Sequence, residues 1–234
     1  MSGHSKWSTI RHKKAANDAV KGSVFTKMAK GITIAVKKGG GVGDPEKNFA
    51  LRLAVDKARS VNMPKENIDR AIDKGMGKNG EELIELVIEG FGPDNLYVII
   101  EVLTDSRNRA VAEVRTLIEK NGGRMGEPGS VMHSFDKCGI IISQDSISEQ
   151  MQLEMIDLGV SDVVFDESRV IIYTVPESMH AVVQFLRKNN VNVDGSIGYR
   201  PKNTVVIDKP EKALGFLEAI SQYDDVQEVY ANLG

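Results

Sequence analysis

GIIISQDSISEQMQLEMIDLGVSDVVFDESRVIIYTVPESMHAVVQFLRKNNVNVDGSIGYR, residues 139–200, switches repeatedly between the period of a strand and the period of a helix. It reads as strand GIIIS, helix 146–158, strand DVVFD, strand RVIIYTV, helix 177–189 and strand VNVDGSIGY. That order is βαββαβ, the split-βαβ or ferredoxin-like unit, and about 60 residues suffice to complete it as a small domain.

The segments on either side have the same grammar. EELIELVIEGF and NLYVIIEVLT are strand-like and are separated by the turn signal GPD. Strand 95–104, helix 107–121 and strand 130–136 precede the central unit, and strand 203–208, helix 211–221 and strand 226–231 follow it. Joined, they spell a second βαββαβ, with the first inserted in its central hairpin. Pairing of 226–231 with the sheet of 139–200, and not with that of 80–136, would refute the arrangement.

Upstream, the pattern is helical. In SVFTKMAKGITIAVKKGGG the apolar Phe25, Met28, Ala29, Ile32, Ala35 and Val36 recur at three and four, and Gly39 begins the stop. GGGVG is a joint, after which Asp44-Pro45 predicts an N-cap and a helix from Pro45 to about Ser60. Pro64 starts another helix ending near Gly75, with Ile68, Ala71 and Ile72 inward. The expected class is therefore α+β and multi-domain. Residues 1–78 form a basic arm and helical domain, 79–137 with 201–234 a discontinuous α/β domain, and 138–200 the inserted ferredoxin-like domain.

Charge is segregated along this plan. The chain of 234 residues has a net charge of −3, yet residues 1–78 hold 17 Lys/Arg against 7 Asp/Glu and the remainder hold 13 against 26. A cationic module joined to an acidic body suggests an anionic polymer as partner. The same split also reads as a solvated lysine-rich surface, or as pairing of the two halves with each other. The opening SGHSKWSTIRHKKAAN has no carboxylate. There Lys6, Arg11, His12, Lys13 and Lys14 flank Trp7, the single tryptophan, which offers a stacking face among phosphate-neutralising charges or, alternatively, an anchor on the helical domain. Lys27, Lys30, Lys37 and Lys38 form a second electrostatic tier.

Catalytic constellations are not evident. The longest apolar runs have strand length, so no membrane span is expected. Cys138 alone cannot form an internal disulfide, fits a reducing compartment, and reads as a small apolar filler. His4 and His12, eight apart, are a weak metal signal, while His133 and His180 fall in an expected strand and helix as ordinary structural histidines. KKGGGVGDP lacks the GK[ST] ending of a phosphate loop and follows a helix, which makes it a hinge. The best polar candidate in the body is TDSRNR, residues 104–109, where Asp105, Arg107, Asn108 and Arg109 crowd a strand-to-helix turn. It reads either as a partner contact, joined by Arg124, or as N-capping by Asp105 or Ser106 with incidental arginines. No enzyme, cofactor, metal or small-molecule substrate is expected.

GHSKW at 3–7, IRHKK at 10–14, KGGG and GDPEKN within 38–48, LRLAVDKARSVNMPKENIDRAI at 51–72, EGFGP at 89–93, NR at 108–109 and GSV at 129–131 together resemble the YebC/PmpR family over essentially the whole chain. One departure is TDSRNRA where the family has a form closer to TDNxNRT. The resemblance implies a helical N-terminal domain with two α/β domains. It also implies a regulator of gene expression: members are described as DNA-binding transcriptional regulators, a mitochondrial relative as a translational activator, and some bacterial members as ribosome-associated factors relieving stalling at proline-rich stretches. With the family motif starting at residue 3, it implies no presequence and a bacterial cytoplasmic protein whose partner is DNA or ribosomal RNA on the ribosome.

Overall fold

The computed structural model describes residues 18–77, 83–166 and 169–234. Among the described residues three helices come first: α1 (Asp18–Lys38), α2 (Phe49–Ser60) and α3 (Lys65–Gly75). Their shared core contains Ile32, Val36, Leu51, Val55, Ala58 and Ile68. α1 and α3 cross where Gly75 leaves no side chain: a Cβ there would lie 2.6 Å from Val36 Cβ and 2.8 Å from the Thr33 carbonyl oxygen. Thr33 Oγ1 donates to the Ala71 carbonyl across the same crossing at 3.0 Å.

The expected start of α2 at Pro45 is corrected. Residues 45–47 form a turn, and buried Asn48 is the N-cap, its Oδ1 accepting the Leu51 N–H at 3.1 Å. Asn48 Nδ2 donates to the Ala35 carbonyl at 3.0 Å and the Val42 carbonyl at 3.1 Å, so one amide closes the end of α1 and opens α2. Asp44 instead caps the turn, accepting the Glu46 N–H at 3.0 Å.

The first sheet contains β1 (Ile84–Phe91), β2 (Tyr97–Thr104), β3 (Arg124–Met125) and β8 (Val226–Ala231), in the order β3-β1-β2-β8. β1 and β2 pair antiparallel from Ile84↔Thr104 to Phe91↔Tyr97, and β2 pairs antiparallel with β8. Helices α4 (Arg107–Lys120) and α7 (Glu211–Ser221) contribute Ala110, Val114, Ile118, Phe216, Leu217 and Ile220 to a core with Leu86, Ile88, Val98, Ile100 and Val229.

Residues 226–231 thus pair with the first sheet, but two strand assignments are corrected. Segment 203–208 makes only an isolated bridge, Val205↔Leu233, and 130–136 is a single helical turn, Met132–Ser134, followed by the start of the next strand. The central position expected for 203–208 is taken by β1. A hairpin closed by a five-residue connection orders far less chain than a pairing with a segment a hundred residues away.

The second sheet is built from β4 (Phe135–Ser143), β5 (Val160–Asp166), β6 (Arg169–Thr174) and β7 (Val193–Pro201), with α5 (Glu149–Asp157) and α6 (Met179–Lys188). Its order, β5-β6-β4-β7, with antiparallel β4–β6 and β5–β6 pairs, is that of the split βαβ unit. Contacts divide the chain into two compact units, Met1–Ser134 with Pro201–Gly234, and Phe135–Arg200. The molecule is α+β and multi-domain.

Candidate nucleic-acid interface

Lys6, Trp7, Arg11, His12, Lys13 and Lys14 lie outside the described residues. Three of the four lysines of the second tier are turned onto the α/β part of their own unit. Lys27 Nζ donates to the Ser221 carbonyl, in the last turn of α7 where the helix dipole is negative. Lys30 Nζ pairs with Asp225 Oδ1 and lies 3.3 Å from the Asp224 carbonyl oxygen. Lys38 Nζ is 2.7 Å from Glu85 Oε2. Lys37, half-buried, has no ion pair among the described residues. Two contacts absent from the sequence reading complete the clasp: Lys57 Nζ to Glu228 Oε1 at 2.8 Å and Ser23 Oγ to Asp224 Oδ1 at 2.6 Å.

Asp225 is the centre of this arrangement, with its side chain only 6% exposed. Besides Lys30 it accepts from Thr104 Oγ1 at 2.8 Å, Arg109 Nη2 at 3.2 Å and the Tyr223 hydroxyl at 3.2 Å. Burial alone would raise the pKa of Asp225, but the bonds from Lys30, Thr104 and Arg109 outweigh it and hold the carboxyl below its ordinary range. Arg109 is shifted up by its Asp225 bond and by Asp105, and Tyr223 is shifted up by burial and by Glu113 and Asp225.

The TDSRNR turn therefore divides. Arg109 reaches inward to Asp225 and also binds Asp105 Oδ1 at 2.7 Å, whereas Arg107 and Asn108 stand exposed on the first turn of α4. The side-chain cap, one of the two readings of this turn, is not formed by Ser106. Ser106 occupies the N-cap position without a side-chain cap bond, and its own N–H is taken by Thr104 Oγ1 at 3.1 Å.

Arg124 belongs to a separate site at the β1–β3 edge. Its Cζ sits 3.8 Å above the Phe91 ring, which meets Tyr97 edge-on at 5.5 Å and 89°. Next to it, the carboxylate of Glu89, 6% exposed, accepts the N–H groups of Gly129 at 2.5 Å, Val131 at 2.7 Å and Met132 at 2.8 Å. Burial pushes Glu89 up, but the three N–H bonds and the charge of His133 win, leaving it lowered. His133 lies in the Met132–Ser134 turn and not in a strand, with Nδ1 3.4 Å from the Gly129 carbonyl oxygen.

Residues 5–78 match the TACO1/YebC protein N-terminal domain, and residues 83–233 match the TACO1/YebC second and third domain. The chain belongs to the TACO1/YebC family. A "Probable transcriptional regulatory protein" of Chloroflexus aggregans is 45% identical over 241 residues, covering 100% of this chain and 95% of the relative. One of the same name from Syntrophomonas wolfei is 42% identical over 242 residues, covering 100% and 96%. The crystal structure of a conserved hypothetical protein from Aquifex aeolicus superposes with a TM-score of 0.84 at 38% identity, covering 93% of this chain and 91% of that one.

Several of the resemblance motifs now have local physical roles in this TACO1/YebC chain. GDPEKN supplies the double-capping Asn48, EGFGP supplies Glu89, and GSV supplies two of its donors, Gly129 and Val131. Sequence reasoning missed Glu89, Asp225, Lys57 and Glu228. A glutamate in a strand reads as solvent-facing, and YDD at 223–225 reads as a turn, so the only available signal was the motif itself. A groove of about 480 Å³ between α1 and α3 is lined by Phe25, Ala29, Met63 and Ala71 with Lys30 and Arg70, and among the described residues its lining has no carboxylate, histidine or thiol for acid/base work. Burial pushes the Cys138 thiol up to about 11, so it stays protonated as a small apolar side chain. Among the described residues no group of three or more His, Cys, Asp or Glu is placed to hold a metal, and no helix is long and apolar enough to cross a membrane.

Proposed function

We propose that this chain is a nucleic-acid-binding regulator of gene expression, a DNA-binding transcriptional regulator working in the cytoplasm without a catalytic role. Lys6, Trp7, Arg11, His12, Lys13 and Lys14 carry the main contact. The observation that supports this placement is the engagement of Lys27, Lys30 and Lys38 by acceptors within their own unit. The cationic surplus left for a polyanion is then concentrated in the arm, with Lys37 behind it. The names borne by the relatives from Chloroflexus and Syntrophomonas support regulation of transcription as the setting.

A second reading, a ribosome-associated translation factor lying on ribosomal RNA, is favoured by the surface of α3. Its exposed Lys65, Glu66, Asp69 and Arg70 mix two carboxylates with two cations, unlike a helix that enters a groove and reads base edges. Contact through phosphate charge and a stacked tryptophan is sequence-tolerant and suits structured RNA.

The deciding experiment offers labelled full-length protein to ribosomes and to promoter-bearing DNA together, at roughly 0.15 M salt where the Debye length is about 8 Å. Saturable binding to one DNA sequence, indifferent to ribosomes, is the outcome expected of a transcriptional regulator. Preference for ribosomes, lost on removing residues 1–17, establishes the second reading in its place.

A further inference from the structure

The geometry points to a protein-docking surface on the inserted unit, formed by the outer side of α5 and the edge strand β5, whose occupant is a basic polypeptide segment carrying apolar side chains. The other helix of this unit is well covered: Met179, Val182, Val183 and Leu186 of α6 are all buried, and among the described residues outside α5 and β5 the exposed large apolar residue is Val175 at 47%. On α5 only Met155 is buried, while Leu153 and Ile156 are each 61% exposed. Phe165 on β5 is 58% exposed. Scattered exposed leucines are ordinary, but two on one helical turn and a phenylalanine on the adjoining strand make a patch.

Register places Phe165 on the face of the sheet that carries the helices. It pairs with Val170, while its neighbour Val164 pairs with Ile171 and packs with Cys138, Ile171 and Tyr173 on the other face of the sheet. Phe165 therefore shares the face of Ile172 and of Gly139, where a Cβ would meet Met179 of α6 at 2.9 Å, so this is the face that carries helices. β5 is also the outermost strand, and it lacks the lysine or proline that commonly protects an edge. A bulge between Val160 and Asp162 disrupts one end of it, leaving Val163–Phe165 in regular register.

Charge selects the occupant. Residues 135–200 hold 5 Lys/Arg against 10 Asp/Glu, and α5 carries Glu149, Glu154 and Asp157 with no cation. A nucleic acid is repelled by this surface, and a second copy would set one acidic helix against another. A lysine- or arginine-bearing segment neutralises the rim while its apolar residues cover Leu153, Ile156 and Phe165, in the manner of strand addition to an open edge. Proteins that themselves bind nucleic acid have such segments. The chain's segregated charges thus match a nucleoprotein target, cation to polyanion and acidic unit to polycation. The surface stands on its own residues and does not depend on which polyanion the arm takes.

The test uses full-length protein and two fluorescent synthetic peptides about eight residues long, the length of a typical strand. Both alternate the same apolar residues, with lysine between them in one and glutamate in the other. Saturable binding of the lysine peptide is expected, with the glutamate peptide weaker by roughly tenfold or more. Phe165→Ser, and separately Leu153→Ser with Ile156→Ser, should weaken the lysine peptide to a similar degree. Because these side chains are exposed, both variants should keep the wild-type circular dichroism. Glu149→Lys with Glu154→Lys tests the charge requirement without touching an apolar residue, and Arg11→Glu with Lys13→Glu and Lys14→Glu should leave peptide binding intact while abolishing nucleic-acid binding. Equal binding of both peptides, or unchanged affinity in the α5 and β5 variants, overturns the proposal. So does sedimentation as a dimer that Phe165→Ser converts to a monomer, which would make a second copy the occupant.

Discussion

A carboxylate buried within a strand, as Glu89 is, must find donors or stay protonated. Glu89 finds three backbone N–H groups on residues 129–132, and through them it fixes the segment that leads into the second unit. Glutamine is the same shape, but its NH₂ would face donors in place of an acceptor. Glu89→Gln should therefore cost about 2–3 kcal/mol in urea denaturation, the range for hydrogen bonds to a charged group and for donors left unsatisfied. The pH dependence has a definite sign. Because the folded pKa lies below the ordinary 4.5, the stabilisation is present above about that pH and is lost as pH falls through the lower folded value. The wild type should lose stability on acidification below 4.5 more steeply than the Gln variant, as read from melting temperatures along a pH series. None of this was legible locally. Strand alternation places Glu89 on the face opposite Ile88, but nothing short of the fold says that this face meets a loop forty residues on.

Elements were more legible than their partners. The helices follow from apolar spacing and stop signals, and Gly39, Pro64 and Gly75 mark ends that the structure keeps within a residue. The inserted βαββαβ also has the expected order, because each of its strands pairs within a short contiguous segment. Errors arose where two candidate strands competed for one place in the first sheet, since alternation describes a strand and not its neighbour. Close approach between elements is equally silent in sequence, and Gly75 is an example. Gly75→Ala should destabilise by about 1–3 kcal/mol, since the new methyl group must displace Val36 or the α1 backbone. The clasp makes a further prediction for α1. Lys30→Met leaves Asp225 buried with Thr104 and Arg109 still bonded to it, so the cost should be about 2 kcal/mol, less than for a buried ion pair with no other donors. Adding Asp225→Asn to Lys30→Met should cost less than the two single changes summed, and additivity would mean that the pair is not coupled.

At the scale of the molecule, the division into a cationic start and an acidic remainder was plain in the sequence, but its use was not. Part of it is internal: α1 and α2 present lysines to Asp225, Glu228 and Glu85 of the same unit. Those lysines are neutralised before any polyanion arrives, and they release no counterions when one binds. The salt dependence of binding can therefore count which charges are used. Replacing Arg11, Lys13 and Lys14 with alanine should lower the slope of log K against log salt by about 2.7 on duplex DNA, or by about 2.1 on a single strand, if each neutralises one phosphate. Lys30→Ala should leave that slope unchanged, because its charge is already held by Asp225. If the arm makes no packed contact, its variant should melt within about 2 °C of the wild type. A slope that falls for Lys30→Ala and not for the arm would place the polyanion on α1, and would require the clasp to open when nucleic acid binds.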